Sequence, residues 1–156
     1  MIWDRWYAVW NKARLFTAQN FYWVYPRNKD DTLIILGFLN STLAEFFVEI
    51  EGKTLYGEGV LQLVGHNFLR IPILDPKKMT DKQKKRIEDI FIKLCTAKRE
   101  NSEKLIGSIQ SELDDTIFEI IGIKGVKEQV HKELENLREL RKTKKEAKIM
   151  LKTDTK

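Results

Sequence analysis

Hydrophobic and polar positions follow different periods in the two halves of the chain. In the first half, aromatic and β-branched residues predict strands over residues 13–17 and 21–25, and alternation predicts another strand over 60–64. Apolar residues at helical spacing predict one amphipathic helix over 33–50, and the polar, glycine-bearing stretch 52–59 is typical of a loop. The apolar stripe of that helix is Leu36, Leu39, Leu43, Phe46 and Ile50.

The second half is helical throughout. Thr80 and Gln83 form a capping-box pattern that opens a first helix. Ser102 can cap a second helix, Gly122 can end it, and a third helix begins near Gly125. The apolar stripes are Ile87, Ile90, Phe91 and Leu94, then Leu105, Ile109, Leu113, Ile117 and Ile120, then Val126, Val130, Leu134, Leu137 and Arg141.

These patterns predict an α+β protein with two regions. A small mixed-sheet region with a packed helix is expected over residues 1–76, and an antiparallel helical bundle over 77–156. With 156 residues the chain can build a modest core.

Charge is concentrated in the second region. The net charge is +5, and residues 1–74 hold equal numbers of basic and acidic side chains, so residues 75–156 carry all of the excess. The basic end of the last helix, with Arg141 and Lys145, suits DNA phosphates, but a solvated helix face gives the same pattern.

Cysteine and histidine usage excludes some chemistry. Cys95 is the single cysteine, which excludes an internal disulfide and a multi-cysteine zinc site, and the two histidines are 65 positions apart. The longest apolar run, 33–39, is too short to span a bilayer, and no signal peptide is visible. We therefore expect a cytoplasmic protein without a metal or membrane partner.

The stretch after the first predicted helix contains candidate DNA contacts. Glycines in 52–59 let the backbone approach a duplex, and polar side chains can meet base edges or phosphates. Glutamine and asparagine suit adenine edges, and arginine suits guanine. An ordinary surface hairpin is the alternative. The candidates are Lys53, Thr54, Tyr56, Gln62, His66, Asn67 and Arg70.

The N-terminal segment mixes aromatic and basic residues. Trp3, Trp6 or Tyr7, and Trp10 fit one helix face, which favours packing over stacking on bases. Lys12 and Arg14 remain candidate phosphate contacts.

A metal-dependent nuclease is a weaker hypothesis. Glu51-Gly52-Lys53 follows Asp30 and Asp31 by about twenty residues, and such enzymes use two carboxylates and a lysine. Here, however, the two parts flank a helix, and either aspartate can instead cap it.

Three short segments and the order of elements over 21–76 resemble a known family. The segments are 37–41 (GFLNS), 70–76 (RIPILDP) and 113–123 (LDDTIFEIIGI). They resemble the target recognition domain of type IIG-like adenine-specific DNA methyltransferases and restriction–modification enzymes, which is related to type I specificity subunits. The resemblance covers roughly residues 13–123.

The resemblance implies a module that reads double-stranded DNA, mainly through the loop 53–62, beside a separate catalytic domain. The chain lacks the Asn/Asp-Pro-Pro-aromatic motif of those enzymes, because no two of its three prolines are adjacent. Gly57-Glu58-Gly59 lacks the third glycine and the predicted strand–helix setting of a cofactor loop. S-adenosylmethionine is thus expected only in a partner catalytic domain, and this chain is expected to lack catalysis. The alternative is a helical scaffold that docks a methyltransferase or nuclease chain.

Overall fold

The computed structural model describes residues 2, 6–18, 21–55 and 59–153, with the backbone alone described at 55 and 144–153. The fold is mainly helical with one antiparallel hairpin, consistent with the α+β class. The α-helices are α1 (Thr32–Leu39), α2 (Thr42–Glu51), α3 (Gly65–Phe68), α4 (Asp81–Arg99), α5 (Glu103–Ile121) and α6 (Lys127–Thr153). The strands are β1 (Lys53–Leu55) and β2 (Val60–Gln62), and 3-10 turns cover Lys29–Asp31, Pro76–Lys78 and Lys124–Val126.

The single helix expected over 33–50 is two helices, which corrects the prediction. α1 ends at Leu39, and α2 leaves it at a bend of 74°. Ser41 has extended backbone and its Oγ accepts a hydrogen bond from Ala44 N at 3.2 Å, so it caps α2. The Asn40 side chain binds the last turn of α1, donating from Nδ2 to Leu36 O at 2.8 Å. The side chains of Asn40 and Ser41 therefore bind local backbone groups at the break between α1 and α2.

The hairpin replaces part of the expected loop. Lys53 pairs with Gln62 and Thr54 with Leu61, and Ile2 adds a bridge on the other edge of β2. The prediction of a loop over 52–59 was therefore wrong at β1, and the strand over 60–64 is shorter than predicted. It ends early because Val64 is already the N-cap of α3.

The strands predicted over 13–17 and 21–25 are absent from the described residues. Leu15 N donates to Asn11 Oδ1 at 2.9 Å, and Asn11 Nδ2 donates to Leu15 O at 2.7 Å, which closes a local loop. Aromatic and β-branched content favours a strand only where a neighbouring strand takes up the backbone groups. We refer to residues 6–18 and 21–26 as the aromatic arm.

The long helices follow the sequence pattern. The capping box of Thr80 and Gln83 is present at the start of α4. Gly122 ends α5 with φ of +80°, a left-handed conformation that glycine adopts without steric cost. Ser102 and Asp31 stand at helix starts, but neither side chain makes a capping hydrogen bond.

The main core is shared between both halves of the chain. α1 packs on α4, α4 packs on α5, and α6 packs more extensively on α2 than on α5. The expected bundle of three C-terminal helices is not confirmed, since first-half helices lie among them. The boundary near Pro76 stays a prediction. The main core contains Ile34, Phe38, Leu39, Leu43, Ala44, Ile87, Ile90, Leu94, Ala97, Ile109, Leu113, Ile117 and Phe118.

A smaller apolar cluster supports the hairpin. It consists of Val48, Leu61, Leu63 and Ile71, with Ile2, Trp6 and Phe68 partly buried against it. Gly52 lies against this cluster, because a Cβ placed there would be 2.4 Å from Leu61 Cγ. The hairpin is thus seated on the end of α2.

Among the described helices, no single one has the length and apolar composition to cross a membrane. The bent pair Lys29–Leu39 and Thr42–Glu51 meets those two criteria only when its members are taken together.

Candidate nucleic-acid interface

The hairpin presents polar side chains on one face. Lys53 and Gln62 are cross-strand partners, so their side chains lie on the same side of the sheet. Leu61, on the opposite side, is buried in the smaller apolar cluster. Lys53 and Thr54 are exposed and Gln62 is half-buried. Tyr56 lies outside the described residues, so its predicted role stays a prediction.

Three predicted contacts lie in α3 or just after it, and two of them are at the surface while one faces inward. His66 is exposed, and the Arg70 side chain is 67% exposed, with Nη1 3.8 Å from Glu51 Oε2. Asn67 is only 5% exposed and donates from Nδ2 to Glu51 Oε2 at 3.4 Å. Asn67 therefore faces the protein, whereas His66 and Arg70 lie at the surface, with Arg70 close to the end of α2.

The aromatic arm encloses a groove of about 800 Å³ against α1, β2 and α3. We call this the aromatic groove. Tyr22 attaches the arm to one wall, because its hydroxyl donates to Leu63 O at 2.8 Å and its ring stacks on Phe68 at 5.5 Å. The residues that line the aromatic groove include Trp6, Tyr7, Trp10, Phe21, Trp23, Tyr25, Ile35, Leu36 and Gln62.

The tryptophans divide between packing and exposure. Trp6 is half-buried and donates from Nε1 to Leu39 O at 2.7 Å, which agrees with a packing role. Trp10 and Trp23 are about half exposed. Trp3 lies outside the described residues. The expected helix face is absent from the described part of this segment, since residues 6–10 have no regular secondary structure.

The cations of the arm lie at the surface. Lys12 Nζ is 4.6 Å from the Trp10 ring centroid, a cation–π distance. Arg14 is exposed and has φ of +52°, in the turn closed by Asn11. Both positions leave the charged groups accessible to a polyanion.

Arg141, predicted as a DNA contact, is buried in this arrangement and does not lie among the surface cations. Its side chain is 6% exposed, and Nε and Nη2 donate to the two carboxylate oxygens of Glu49 at 3.1 and 2.9 Å. Nη1 also donates to Gly59 O. The sequence placed Arg141 on the apolar stripe of the last helix, and that spacing was the signal for burial. The side chain of Lys145 lies outside the described positions.

A buried carboxylate links α5 to the start of α2. Asp114 Oδ1 accepts from Thr42 N at 2.8 Å, and Oδ2 accepts from Thr42 Oγ1 at 2.6 Å. His131 Nε2 is 3.6 Å from Oδ2. Burial raises the pKa of Asp114, and the Thr42 hydrogen bonds oppose that shift. Because both oxygens are engaged, the carboxylate acts as a helix cap supplied by another helix.

The arrangement does not favour the nuclease hypothesis. Asp30 and Asp31 precede α1, and Glu51 ends α2. Helices of 8 and 10 residues at a 74° bend separate the two sets, and a rise of about 1.5 Å per residue places them on the order of 20 Å apart. Within the described residues there is no cluster of three or more His, Cys, Asp or Glu side chains that could hold a metal ion.

Comparison with known families identifies the class of domain. Residues 6–113, more than half of the chain, match the family model of the type II methyltransferase M.Eco57I, C-terminal domain. The chain is thus a C-terminal domain of the type II methyltransferase class, in a restriction–modification context. Specifically, it belongs to the M.Eco57I C-terminal domain family, which confirms the resemblance inferred from the sequence. No curated protein and no solved structure matches the chain.

Proposed function

We propose that this chain is the DNA target recognition domain of an adenine-specific methyltransferase of type IIG-like organisation. Membership of the M.Eco57I C-terminal domain family is the observation that carries the proposal. The hairpin adds support, because Lys53 and Gln62 share one face of the sheet, and the exposed Arg70 lies close to Glu51, two residues before β1 begins.

The proposed contacts divide into two kinds. Lys53, Arg70 and the arm cations Lys12 and Arg14 neutralise phosphates, which fixes the position of the domain on the duplex. Gln62 has the donor and acceptor pair that suits an adenine edge, and it lies opposite Lys53 on the sheet face. Sequence selection then comes from the hairpin face, and the phosphate contacts supply affinity.

In this proposal, methyl transfer belongs to a separate catalytic region. The target adenine and S-adenosylmethionine would be held there, because the flipped base requires an Asn/Asp-Pro-Pro-aromatic motif that this chain lacks. The chain would work in the cytoplasm, on the DNA that its catalytic partner modifies.

Fluorescence anisotropy at several salt concentrations tests the proposed DNA contacts. The probe is a labelled duplex selected by the chain from a pool with a randomised centre. Lys53→Ala should reduce the magnitude of the slope of log K against log salt by about 1, because one phosphate contact is removed. Lys98→Ala is the matched control, an exposed lysine on α4 that should leave the slope unchanged.

Two results would contradict the proposal. One is the absence of measurable binding even at low salt. The other is an equal change of slope for Lys53→Ala and Lys98→Ala, which would mean that binding follows net charge and not the hairpin.

The aromatic groove favours a second function, docking of the methyltransferase catalytic region. Tyr7, Trp10, Phe16, Trp23 and Tyr25 are all about half exposed or more along the arm. Contiguous exposed aromatic surface is typical of a protein-interaction site. Membership of a methyltransferase domain family supports a methyltransferase catalytic region as the partner proposed for this surface.

Co-elution in size-exclusion chromatography with a co-expressed type II methyltransferase catalytic region tests the docking. Replacing Trp10 and Trp23 together by serine should abolish co-elution and leave the DNA salt slope unchanged. Retained co-elution would rule out docking through the groove. A loss of DNA affinity without loss of co-elution would show that the aromatic rings stack on bases instead.

A further inference from the structure

We propose that Arg141 is the positioning residue for the recognition hairpin, an inference that rests on the proposed function. Arg141 lies on α6, far along the chain from β1 and β2, and its described contacts include α2 and the residue that precedes β2. It holds Glu49 of α2 through two hydrogen bonds and donates a further one to the carbonyl of Gly59.

The Gly59 carbonyl lies where the direction of β2 is set. Gly59 directly precedes β2, is buried, and has φ of +70°, a conformation that residues with a Cβ rarely adopt. A hydrogen bond to this carbonyl fixes the direction in which β2 begins. The register of Val60, Leu61 and Gln62 against β1 depends on that direction.

The hairpin needs an external brace because it is short. Each strand has three residues, and isolated two-stranded hairpins are marginally stable in water. On the other edge, Ile2 exchanges backbone hydrogen bonds with Leu61 at 2.7 and 2.9 Å. Arg141 holds the end of the hairpin nearest the turn.

The chemistry of this brace requires arginine. A guanidinium is planar and can bind both oxygens of a carboxylate while another nitrogen donates elsewhere. A lysine ammonium lacks that fork geometry, so it can keep the charge pairing with Glu49 without reproducing all three contacts. Arg141→Lys therefore keeps the positive charge beside Glu49 and removes the hydrogen-bond geometry that holds the hairpin.

The same helix provides a matched control. Arg138, almost one turn earlier, pairs with Glu45 of α2 and with Glu135 of α6. The described contacts of Arg138 include none to the hairpin. Loss of Arg138 removes an ion pair between α2 and α6 and leaves the hairpin brace in place.

Amide hydrogen exchange measured by mass spectrometry tests the positioning itself. Arg141→Gln should speed exchange across residues 53–62 by about tenfold or more relative to Arg138→Gln, because a buried charge-assisted hydrogen bond is lost. Arg141→Lys should give an exchange rate between those of the native chain and Arg141→Gln. If Arg141→Gln does not fold, the comparison of Arg141→Lys with Arg138→Gln tests the inference. Equal exchange in the Arg141 and Arg138 variants would overturn the inference.

DNA binding measurements test whether the position of the hairpin affects sequence selectivity. The probes are the duplex that the native chain selects from a randomised pool and a scrambled version of it. Arg141→Lys should lower the ratio of selected to scrambled affinity by about tenfold, with less than about a twofold change on the scrambled duplex. Arg138→Gln should keep the ratio.

The two measurements separate the inference from the proposed function. In one outcome, hairpin exchange rises in the Arg141 variants and the native chain selects a sequence, but the variants keep the native ratio of selected to scrambled affinity. The proposed role of Arg141 in recognition is then wrong. If exchange rises and the native chain selects no sequence, the proposed function fails while the brace on the hairpin stands.

Discussion

The main core and the aromatic arm use large apolar residues in opposite ways. Phe118, in the core, is 0% exposed and packs among residues from four helices. Phe16, in the arm, is 104% exposed relative to its reference, and its neighbours Leu15, Phe21 and Trp23 are exposed as well. Both regions contain large apolar residues, so residue type alone does not decide which residues stabilise the fold.

The difference follows from where the backbone hydrogen bonds are made. Core residues lie on helices, which satisfy their own backbone groups and leave one face free to pack. Arm residues have no regular partner among the described residues, so their side chains lie along an extended surface. We infer that the core carries the stability of the domain and the arm is available for contact with a partner.

The same substitution in each region gives the largest expected contrast. Phe118→Ala should lower the free energy of unfolding by about 3–5 kcal/mol, because it leaves a cavity in a closed core. Phe16→Ala should change it by less than about 0.5 kcal/mol. Urea unfolding followed by circular dichroism measures both. Comparable losses for the two variants would show that the arm is part of the stabilising core.

A pair of helical glycines sharpens the contrast between packed and open surface. A Cβ at Gly37 would be 2.5 Å from Ile87 Cγ2, so Gly37→Ala forces α1 away from α4 and should cost about 1–3 kcal/mol. Gly107 in α5 has no atom within 4 Å of such a Cβ, so Gly107→Ala should gain about 0.5–1 kcal/mol. Thermal unfolding should show shifts of opposite sign. A gain at Gly37 would mean that α1 and α4 do not need this close approach.

Asp114 gives a smaller expected loss of stability than Phe118 or Gly37, together with a pH dependence. Asp114→Asn should cost about 0.5–2 kcal/mol, because an amide nitrogen cannot accept the second Thr42 hydrogen bond. Burial raises the pKa of Asp114 above its ordinary value of 3.8, so the folded protein binds this proton more tightly than the unfolded chain. The group then favours folding more as the pH falls through the raised pKa.

The stability difference between the native chain and Asp114→Asn should therefore grow as the pH is lowered from neutral toward 3.8. The basic side chains that face Asp114 are Lys127 and His131 of α6. Urea unfolding at several pH values checks the slope. A difference that shrinks over this range would mean that the hydrogen bonds from Thr42, and not burial, dominate the pKa of Asp114.

Sequence patterns predicted the long helices well because their signals are local. The Thr80 capping box and the Gly122 helix end act within one turn of chain, and both are present. The break at Asn40 and Ser41 was missed because the apolar stripe continues across it. Asn-Ser-Thr within an apolar helix was the available signal, since these residues favour helix starts over helix interiors.

Contacts between distant residues could not be read from the sequence. Arg141 was grouped with a basic helix end, but its partner Glu49 is 92 positions away. The strands predicted in the arm depended on pairing, which propensity does not supply. Of the candidate contacts, Lys53 and Gln62 share a face of the hairpin and Arg70 is exposed near Glu51, whereas Asn67 is buried.

The cap that Asp114 provides for Thr42 has a consequence for synthesis of the chain. The two residues are 72 positions apart, so the Thr42 amide lacks its carboxylate partner until the ribosome has delivered most of α5, and Ser41 is the local cap of α2 before then. During translation, the apolar faces of α1 and α2 emerge long before their partners. The nascent chain thus completes this folding unit late, and chaperones have a defined interval in which those faces are exposed.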